Sequence, residues 1–207
     1  MSKAKAISMT TTTRLTLEQF LDQPQGKPYR EYVCGEVFKK PMGTQQHSFL
    51  QTYLTHLLVQ FLIGTPVGRA GTEWRCVFGP LGQERSYVPD LMYVARAHLT
   101  TDRFHPRAPD LAVEILSPRQ PLSRFRAKID FYLQYGVRLV WIFDPADQVV
   151  TVLIPGQEPR TLQLGDTLSG GDVLPGFSVP LREVFAQMAL DPAAALSADE
   201  PAKETGA

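Results

Sequence analysis

Hydrophobic and polar positions follow two different periods along the chain, and each change of period marks a predicted element. Apolar residues at helical spacing in "HSFLQTYLTHLLVQFLIG" predict a helix over 47–64, and the same spacing in "SRFRAKIDFYLQYG" predicts another over 123–136. Ser123 is the predicted N-cap of the second helix, and Gly136 is its predicted end. "LTLEQF" predicts a short first helix, because Thr16 and Gln19 have the spacing of a capping box.

Strand periodicity appears in the segments between these helices. "YREYVCGEVFKK" alternates around Gly35 and predicts a β-hairpin. Three strand-like runs follow the first long helix: "GTEWRCVFG", "SYVPDLMYV" and "APDLAVEIL". "RLVWIFDP" is a continuous apolar run of the kind that is buried on both faces of a sheet. The order of these elements predicts an α/β fold with a mixed central β-sheet flanked by helices.

The composition indicates how many domains the chain has and which kinds of partner it can bind. Residues 1–13 and 190–207 have the composition of disordered segments, so one domain is expected over 14–189. Lys plus Arg number 21 and Asp plus Glu number 21, so a nucleic acid would have to meet a local basic patch. The sequence shows neither a signal peptide nor a membrane-length apolar run, which predicts a cytoplasmic protein without membrane contact.

Carboxylates lie within two of the apolar strands, where an unpaired charge is costly. "APDLAVEILSP" contains Asp110 and Glu114, and "VPDL" contains Asp90. If these two strands are neighbours in register, Asp90 and Glu114 converge at one end of the sheet. Two close carboxylates repel each other unless a cation lies between them, and hard oxygen ligands suit Mg²⁺ or Mn²⁺. A metal held there activates water and stabilises charge on a phosphate.

The spacing of these acids resembles the metal-binding residues of the PD-(D/E)XK nuclease superfamily, with Asp90 after Pro89 and Glu114 on the next strand. More specifically, residues 15–185 resemble the Uma2 family of restriction-endonuclease-like proteins. The matching motifs are "YREYVCGEV", His47, "VPDL", "PDLAVEILSP" and "YGVRLVWIFDP". The chain departs from the superfamily at Leu116, where the superfamily usually has lysine. The resemblance implies a restriction-endonuclease-like fold and a metal-dependent endonuclease acting on DNA.

The resemblance also implies roles for individual residues. In the Uma2 pattern the missing lysine has moved to the following helix, at Lys128, and the first acid of the site is Glu31, with Glu36 as a competitor in the same hairpin. Asp90, Glu114 and Glu31 are then the expected metal ligands, and His47 is a possible functional residue of the site without an assigned role. The arginines expected to contact the phosphate backbone are Arg119, Arg124 and Arg126. The expected partners are DNA and a second copy of the chain in a homodimer.

Simpler interpretations of the same residues stay open at this point. Asp90 can cap a turn after Pro89, and Glu114 can face solvent or form a buried pair with Lys128. Asp110, at its strand entrance, is expected to be structural. Two rival functions remain: a non-catalytic nucleic-acid-binding or accessory module that keeps the nuclease fold, and a glycosidase-like carboxylate pair without metal.

Overall fold

The computed structural model describes residues 14–118 and 120–189, so the predicted disordered segments 1–13 and 190–207 lie outside the described residues. Within this part the helices are α1 (Leu17–Leu21), α2 (Gln45–Gly64), α3 (Leu122–Gln134) and α4 (Leu181–Ala186). The strands are β1 (Arg30–Val33), β2 (Glu36–Lys39), β3 (Gly68–Thr72), β4 (Cys76–Phe78), β5 (Arg85–Tyr87), β6 (Leu91–Ala95), β7 (Leu111–Ile115), β8 (Leu139–Asp144), β9 (Val149–Leu153), β10 (Arg160–Leu162), β11 (Thr167–Ser169) and β12 (Ser178–Pro180).

A six-stranded mixed sheet forms the centre of the molecule, in the order β10-β9-β8-β7-β6-β3. β7 and β8 are parallel and are connected through α3, whereas the other neighbours in this sheet are antiparallel. A second sheet, in the order β2-β1-β5-β4, contains the predicted hairpin of β1 and β2. The predicted α/β fold with a mixed central sheet is therefore confirmed.

The core has two layers, one on each face of the central sheet. On one face, α2 and α4 pack against side chains such as Val113 and Trp141. On the other face, Ala112 and Val140 pack with the apolar residues of α3 and of the four-stranded sheet β2-β1-β5-β4. β7 is buried along its whole length, so a carboxylate on it must find partners inside the protein.

Two of the predicted strands are each divided into two strands. The run "GTEWRCVFG" covers the end of β3 and all of β4, and "SYVPDLMYV" covers parts of β5 and β6. In both cases the two halves pair in different sheets. Pro89 lies at the second division, where its lack of an N–H prevents a continuous ladder.

The predicted cap of α3 was also wrong. Helix α3 begins at Leu122 after Pro121, with no side-chain cap, so Ser123 lies inside the first turn. The predicted capping box of α1 is confirmed, because the Thr16 and Gln19 side chains each accept a hydrogen bond from the other residue's backbone N–H.

Candidate active site

Asp90 and Glu114 lie side by side at one end of the β6–β7 pair. The antiparallel register joins Leu91 to Val113, and one further step places Asp90 opposite Glu114. Each of the two acids is only 2% exposed. Asp90 Oδ2 accepts a hydrogen bond of 2.7 Å from the backbone N–H of Ile115, which fixes the orientation of its carboxylate. The convergence of Asp90 and Glu114 expected from the sequence is thus present.

Lys128 reaches this end of the sheet from α3. Its ammonium lies 2.8 Å from Glu31 Oε1 and 2.7 Å from Glu114 Oε1, and the residue is 5% exposed. Glu31 also accepts the backbone N–H of Val88 at 3.1 Å, and the Tyr132 hydroxyl donates to Glu114 at 2.9 Å. Lys128 and Tyr132 are one helical turn apart, so one face of α3 points toward the acids.

A second lysine lies against the other oxygen of Asp90. Lys40 Nζ is 2.7 Å from Asp90 Oδ1, and His47 Nε2 is 3.3 Å from the same oxygen. Lys40 directly follows β2, and His47 lies in the first turn of α2, which is capped by Thr44. Together these residues form what we call the carboxylate–lysine cluster, which consists of Glu31, Lys40, His47, Asp90, Glu114 and Lys128.

The charged groups of this cluster shift one another's pKa values. Burial alone would raise the pKa of Asp90, but Lys40 and His47 outweigh that effect and hold the pKa below its ordinary value. Burial raises the pKa of Glu114 despite the opposing charge of Lys128. Burial would lower the pKa of Lys128, but Glu114 and Glu31 together raise it well above the ordinary value. Lys128 is therefore a permanent cation at neutral pH.

A small cavity of about 30 Å³ is lined by every member of the cluster, with Pro41 and Gln120 among its other walls. Arg124 lies beside it, in a neighbouring cavity that Glu31 and Lys128 also line, and its guanidinium stacks 3.8 Å from the centroid of the Phe38 ring. Arg126 is exposed on α3 and does not line either cavity. Arg119 lies outside the described residues.

The cluster suits a cation that needs few protein ligands. Its three carboxylates face two lysines, so carboxylates outnumber lysines within the cluster. Asp90 Oδ1 is buried and has no aligned hydrogen bond from residues 14–118 or 120–189. However, no three His, Cys, Asp or Glu side chains in the described residues form a ready metal cage. Mg²⁺ fits, since it often takes one or two carboxylates and keeps waters. Glu31 lines the same cavity and pairs with Lys128, as Glu114 does, and a metal shell of three acids that includes Glu31 stays a prediction.

Lys40 was missed by the sequence reasoning, and the role of Tyr132 was not recognised. Tyr132 had a usable signal, because it lies one helical turn after Lys128. Lys40 had none, since it ends the predicted hairpin segment next to another lysine and meets Asp90 only through tertiary packing.

Asp110 is separate from the cluster, at the opposite end of β7. It accepts the backbone N–H of Ala95 at 2.8 Å and lies 2.9 Å from His98 and 3.4 Å from Arg138. These contacts agree with a structural role for Asp110.

Comparison with known proteins places these observations in a family. A family model described as "Uma2: Putative restriction endonuclease" matches residues 17–182. Among solved structures, a protein from Anabaena variabilis ATCC 29413 is described as a "putative nuclease belonging to DUF820". It is 26% identical to this chain with a TM-score of 0.77, and the match covers 84% of this chain and 99% of the other. Among the curated proteins, none matches this chain.

Proposed function

The chain belongs to the Uma2 family, and from this membership we propose that it is a metal-dependent endonuclease that hydrolyses DNA phosphodiester bonds. The observation that carries the proposal is the meeting of Asp90, Glu114 and Lys128 at one cavity although none is more than 5% exposed. Buried charges are costly, and groups with strongly shifted pKa values concentrate at functional sites. The reaction is therefore assigned to the carboxylate–lysine cluster.

We assign Asp90 and Glu114 as the carboxylates that hold Mg²⁺ or Mn²⁺. When bound, such an ion supplies Lewis-acid stabilisation of a phosphate and a more acidic water. The protein's part is to fix the two carboxylates in advance. The Ile115 N–H orients Asp90, and the Tyr132 hydroxyl orients Glu114. Preorganised ligands avoid the cost of rearrangement during the reaction.

Lys128 has an electrostatic role in this proposal. Its raised pKa keeps the ammonium charged, so it stabilises negative charge on the phosphate instead of accepting a proton from water. Glu31 holds Lys128 in place and is thus a positioning residue in this scheme. Arg124, Arg126 and Arg119 supply contacts to the DNA backbone.

The cellular setting of this activity remains a prediction from the sequence. No helix in residues 14–118 and 120–189 is long and apolar enough to cross a membrane. We retain the cytoplasm as the predicted location and a homodimer as the predicted assembly, and sedimentation velocity measures the latter directly.

Single-turnover cleavage of supercoiled, linear and single-stranded DNA tests the activity. We expect cleavage by the wild type with Mg²⁺ or Mn²⁺ and none in EDTA. Asp90→Asn and Glu114→Gln should lower the rate by about 10²-fold or more, because each removes a ligand charge at the reacting centre. Asp110→Asn is the matched control, since it changes the other Pro-Asp carboxylate at the far end of β7, and it should keep the wild-type rate.

The small cavity supports a second candidate function. About 30 Å³ holds roughly one or two water molecules, which is less than a phosphodiester requires. A non-catalytic nucleic-acid-binding or accessory module would need no larger opening. Wild-type protein that binds DNA but cleaves none of the three substrates with either metal would favour this module over the nuclease.

A further inference from the structure

Lys40 contacts the buried carboxylate of Asp90 at a short distance but with poor hydrogen-bond alignment. Its ammonium is 2.7 Å from Oδ1, yet the alignment is poor, and Lys40 Nζ and Asp90 Oδ1 both lack a hydrogen-bond partner among residues 14–118 and 120–189. Lys128, by contrast, donates an aligned hydrogen bond to Glu31. Lys40 is therefore a close counter-ion of Asp90 whose ammonium is not aligned on Oδ1 as a hydrogen-bond donor.

Two side chains already lie close to Asp90 Oδ1. Lys40 and His47 both approach this oxygen, and Oδ2 already accepts the Ile115 N–H. Mg²⁺ needs ligand oxygens at about 2.0–2.1 Å, which an adjacent ammonium at 2.7 Å obstructs by both volume and charge. A metal that binds Asp90 must therefore displace one of these two groups.

The structure indicates that Lys40 is the group that leaves. His47 is fixed on α2, and Gly43 packs so tightly on its ring that an added Cβ would lie 2.7 Å from Cδ2. The Lys40 backbone is also fixed, because its N–H donates to the Tyr29 carbonyl at 2.7 Å. Only the flexible side chain of Lys40 is free to turn.

Space for the displaced side chain lies on the other side of Asp90. A cavity of about 160 Å³ there is lined by Lys40, His47, Asp90 and the carboxylate-bearing Glu73. The flexible Lys40 stem borders this cavity, and Glu73 on its wall, which pairs with Lys27 at 3.1 Å, is a second carboxylate near the ammonium.

We propose that Lys40 is an internal counter-ion that competes with the divalent metal for Asp90 and so sets the metal affinity of the site. The metal and the Lys40 ammonium occupy Oδ1 alternately, and metal binding moves the ammonium into the 160 Å³ cavity. This inference rests on the proposed metal site, but it concerns binding and needs no cleavage.

Isothermal titration with Mn²⁺ in the absence of DNA tests the competition. Lys40→Met keeps the length of the stem and removes the charge, so the Kd for Mn²⁺ should fall by about tenfold or more. Lys39→Met is the matched control, because Lys39 is the exposed neighbour and loses the same charge. Its Kd should stay close to that of the wild type, since exposed charges are screened. Unchanged or weaker Mn²⁺ binding in Lys40→Met would overturn the proposal.

A double variant separates direct competition from a general charge effect. In an Asp90→Asn background, Lys40→Met should no longer tighten Mn²⁺ binding, because the contested oxygen no longer carries a charge. A gain that persists in this background would also overturn the proposal. If Lys40→Met is poorly folded, Lys40→Gln serves in both titrations, with folding checked by circular dichroism.

The outcomes distinguish this inference from the proposed function. Equal Mn²⁺ binding by the wild type and Lys40→Met, together with wild-type cleavage, rejects the competition and leaves the nuclease in place. If Lys40→Met binds Mn²⁺ more tightly than the wild type and the wild type cleaves no DNA, the competition is supported and the nuclease is rejected. No Mn²⁺ binding by either protein rejects both.

Discussion

At the scale of single residues, Lys128 shows how a structural ion pair and a reactive group can be the same side chain. Its contacts with Glu31 and Glu114 are those of a buried pair, which was the simpler interpretation of Glu114. The same contacts hold a permanent cation at the cavity of the carboxylate–lysine cluster. Removing Lys128 should therefore affect both stability and rate.

We expect Lys128→Met to lower the free energy of unfolding by about 3–5 kcal/mol, because it leaves two buried carboxylates without their shared cation. Cleavage at a temperature where the variant remains folded should fall by about 10²- to 10³-fold. Urea unfolding gives the first quantity, and single-turnover kinetics gives the second. Arg126→Met is the control, since it removes an exposed charge from the same helix and should change stability by less than about 0.5 kcal/mol. Wild-type stability and rate in Lys128→Met would contradict both roles.

His105 is a buried histidine whose lowered pKa predicts a pH-dependent contribution to stability. It is fully buried, its ring centroid lies 5.3 Å from that of Trp74, and burial lowers its pKa below the ordinary value of 6.5. The folded state therefore keeps His105 neutral, whereas the unfolded chain takes up a proton near pH 6.5. The contribution is complete above pH 6.5 and is lost as the pH falls toward the lowered value.

The corresponding test compares the wild type with His105→Phe, which keeps an aromatic ring against Trp74. Between pH 7.5 and pH 5.5 the wild type should lose more free energy of unfolding than the variant. The difference between the two losses isolates His105 from the other histidines. Identical losses would mean that His105 does not titrate differently in the folded and unfolded states.

At the scale of elements, the β6–β7 pair has buried acids at both ends, and the acids at the two ends have different roles. Asp90 and Glu114 meet at one end, and Asp110 binds Ala95, His98 and Arg138 at the other. The sequence offered two similar Pro-Asp motifs. Strand position separates them, because Asp110 enters its strand at the end remote from Glu114.

Asp110→Asn should lower the free energy of unfolding by about 1–3 kcal/mol, because it weakens charge-assisted contacts of a buried group. Thermal or urea unfolding measures this change. The Kd for Mn²⁺ and the cleavage rate should stay at wild-type values, which Asp90→Asn should not preserve. Loss of metal binding in a folded Asp110→Asn protein would show that the other Pro-Asp motif supplies the metal ligand.

Local periodicity predicted those elements whose character is set by their own sequence. The β1–β2 hairpin, α2, β7 and β8 follow from alternation, helical spacing or a continuous apolar run, and each is present in the structure. The division of two predicted strands between two sheets was not predictable in this way. Pairing partners such as Ser86 with Tyr32 are distant in sequence, and a single strand pattern does not specify which sheet it joins.

At the scale of the whole molecule, the difference between local sequence patterns and long-range packing also explains which residues of the candidate site could be predicted. The convergence of Asp90 and Glu114 follows from strand faces and one correct strand pairing, and Lys128 follows from the family resemblance. The meeting of Lys40 with Asp90 depends on how the β2–α2 connection packs across the sheet. No local period encodes that packing, and the sequence therefore predicted the acids and one lysine but not the second.

The zero net charge of the molecule also limits how it can bind DNA. Because 21 basic residues balance 21 acidic ones, attraction to the phosphate backbone must come from a few local contacts. Arg124 is the best placed of these, since it is stacked on Phe38 beside the cavity lined by Glu31 and Lys128. Its guanidinium is thus preorganised next to the proposed site of reaction.

We expect the logarithm of the DNA association constant to fall linearly with the logarithm of the salt concentration, with a slope of about −0.9 per phosphate contact. Fluorescence anisotropy across a NaCl series, in an Asp90→Asn background that slows cleavage, measures this slope. Arg124→Gln should make the slope less steep by about 0.9, because one contact is lost. Arg160→Gln is the control, since Arg160 is exposed on the edge strand β10 and has the same charge. A slope that changes with Arg160→Gln but not with Arg124→Gln would place the DNA on a different face from the carboxylate–lysine cluster.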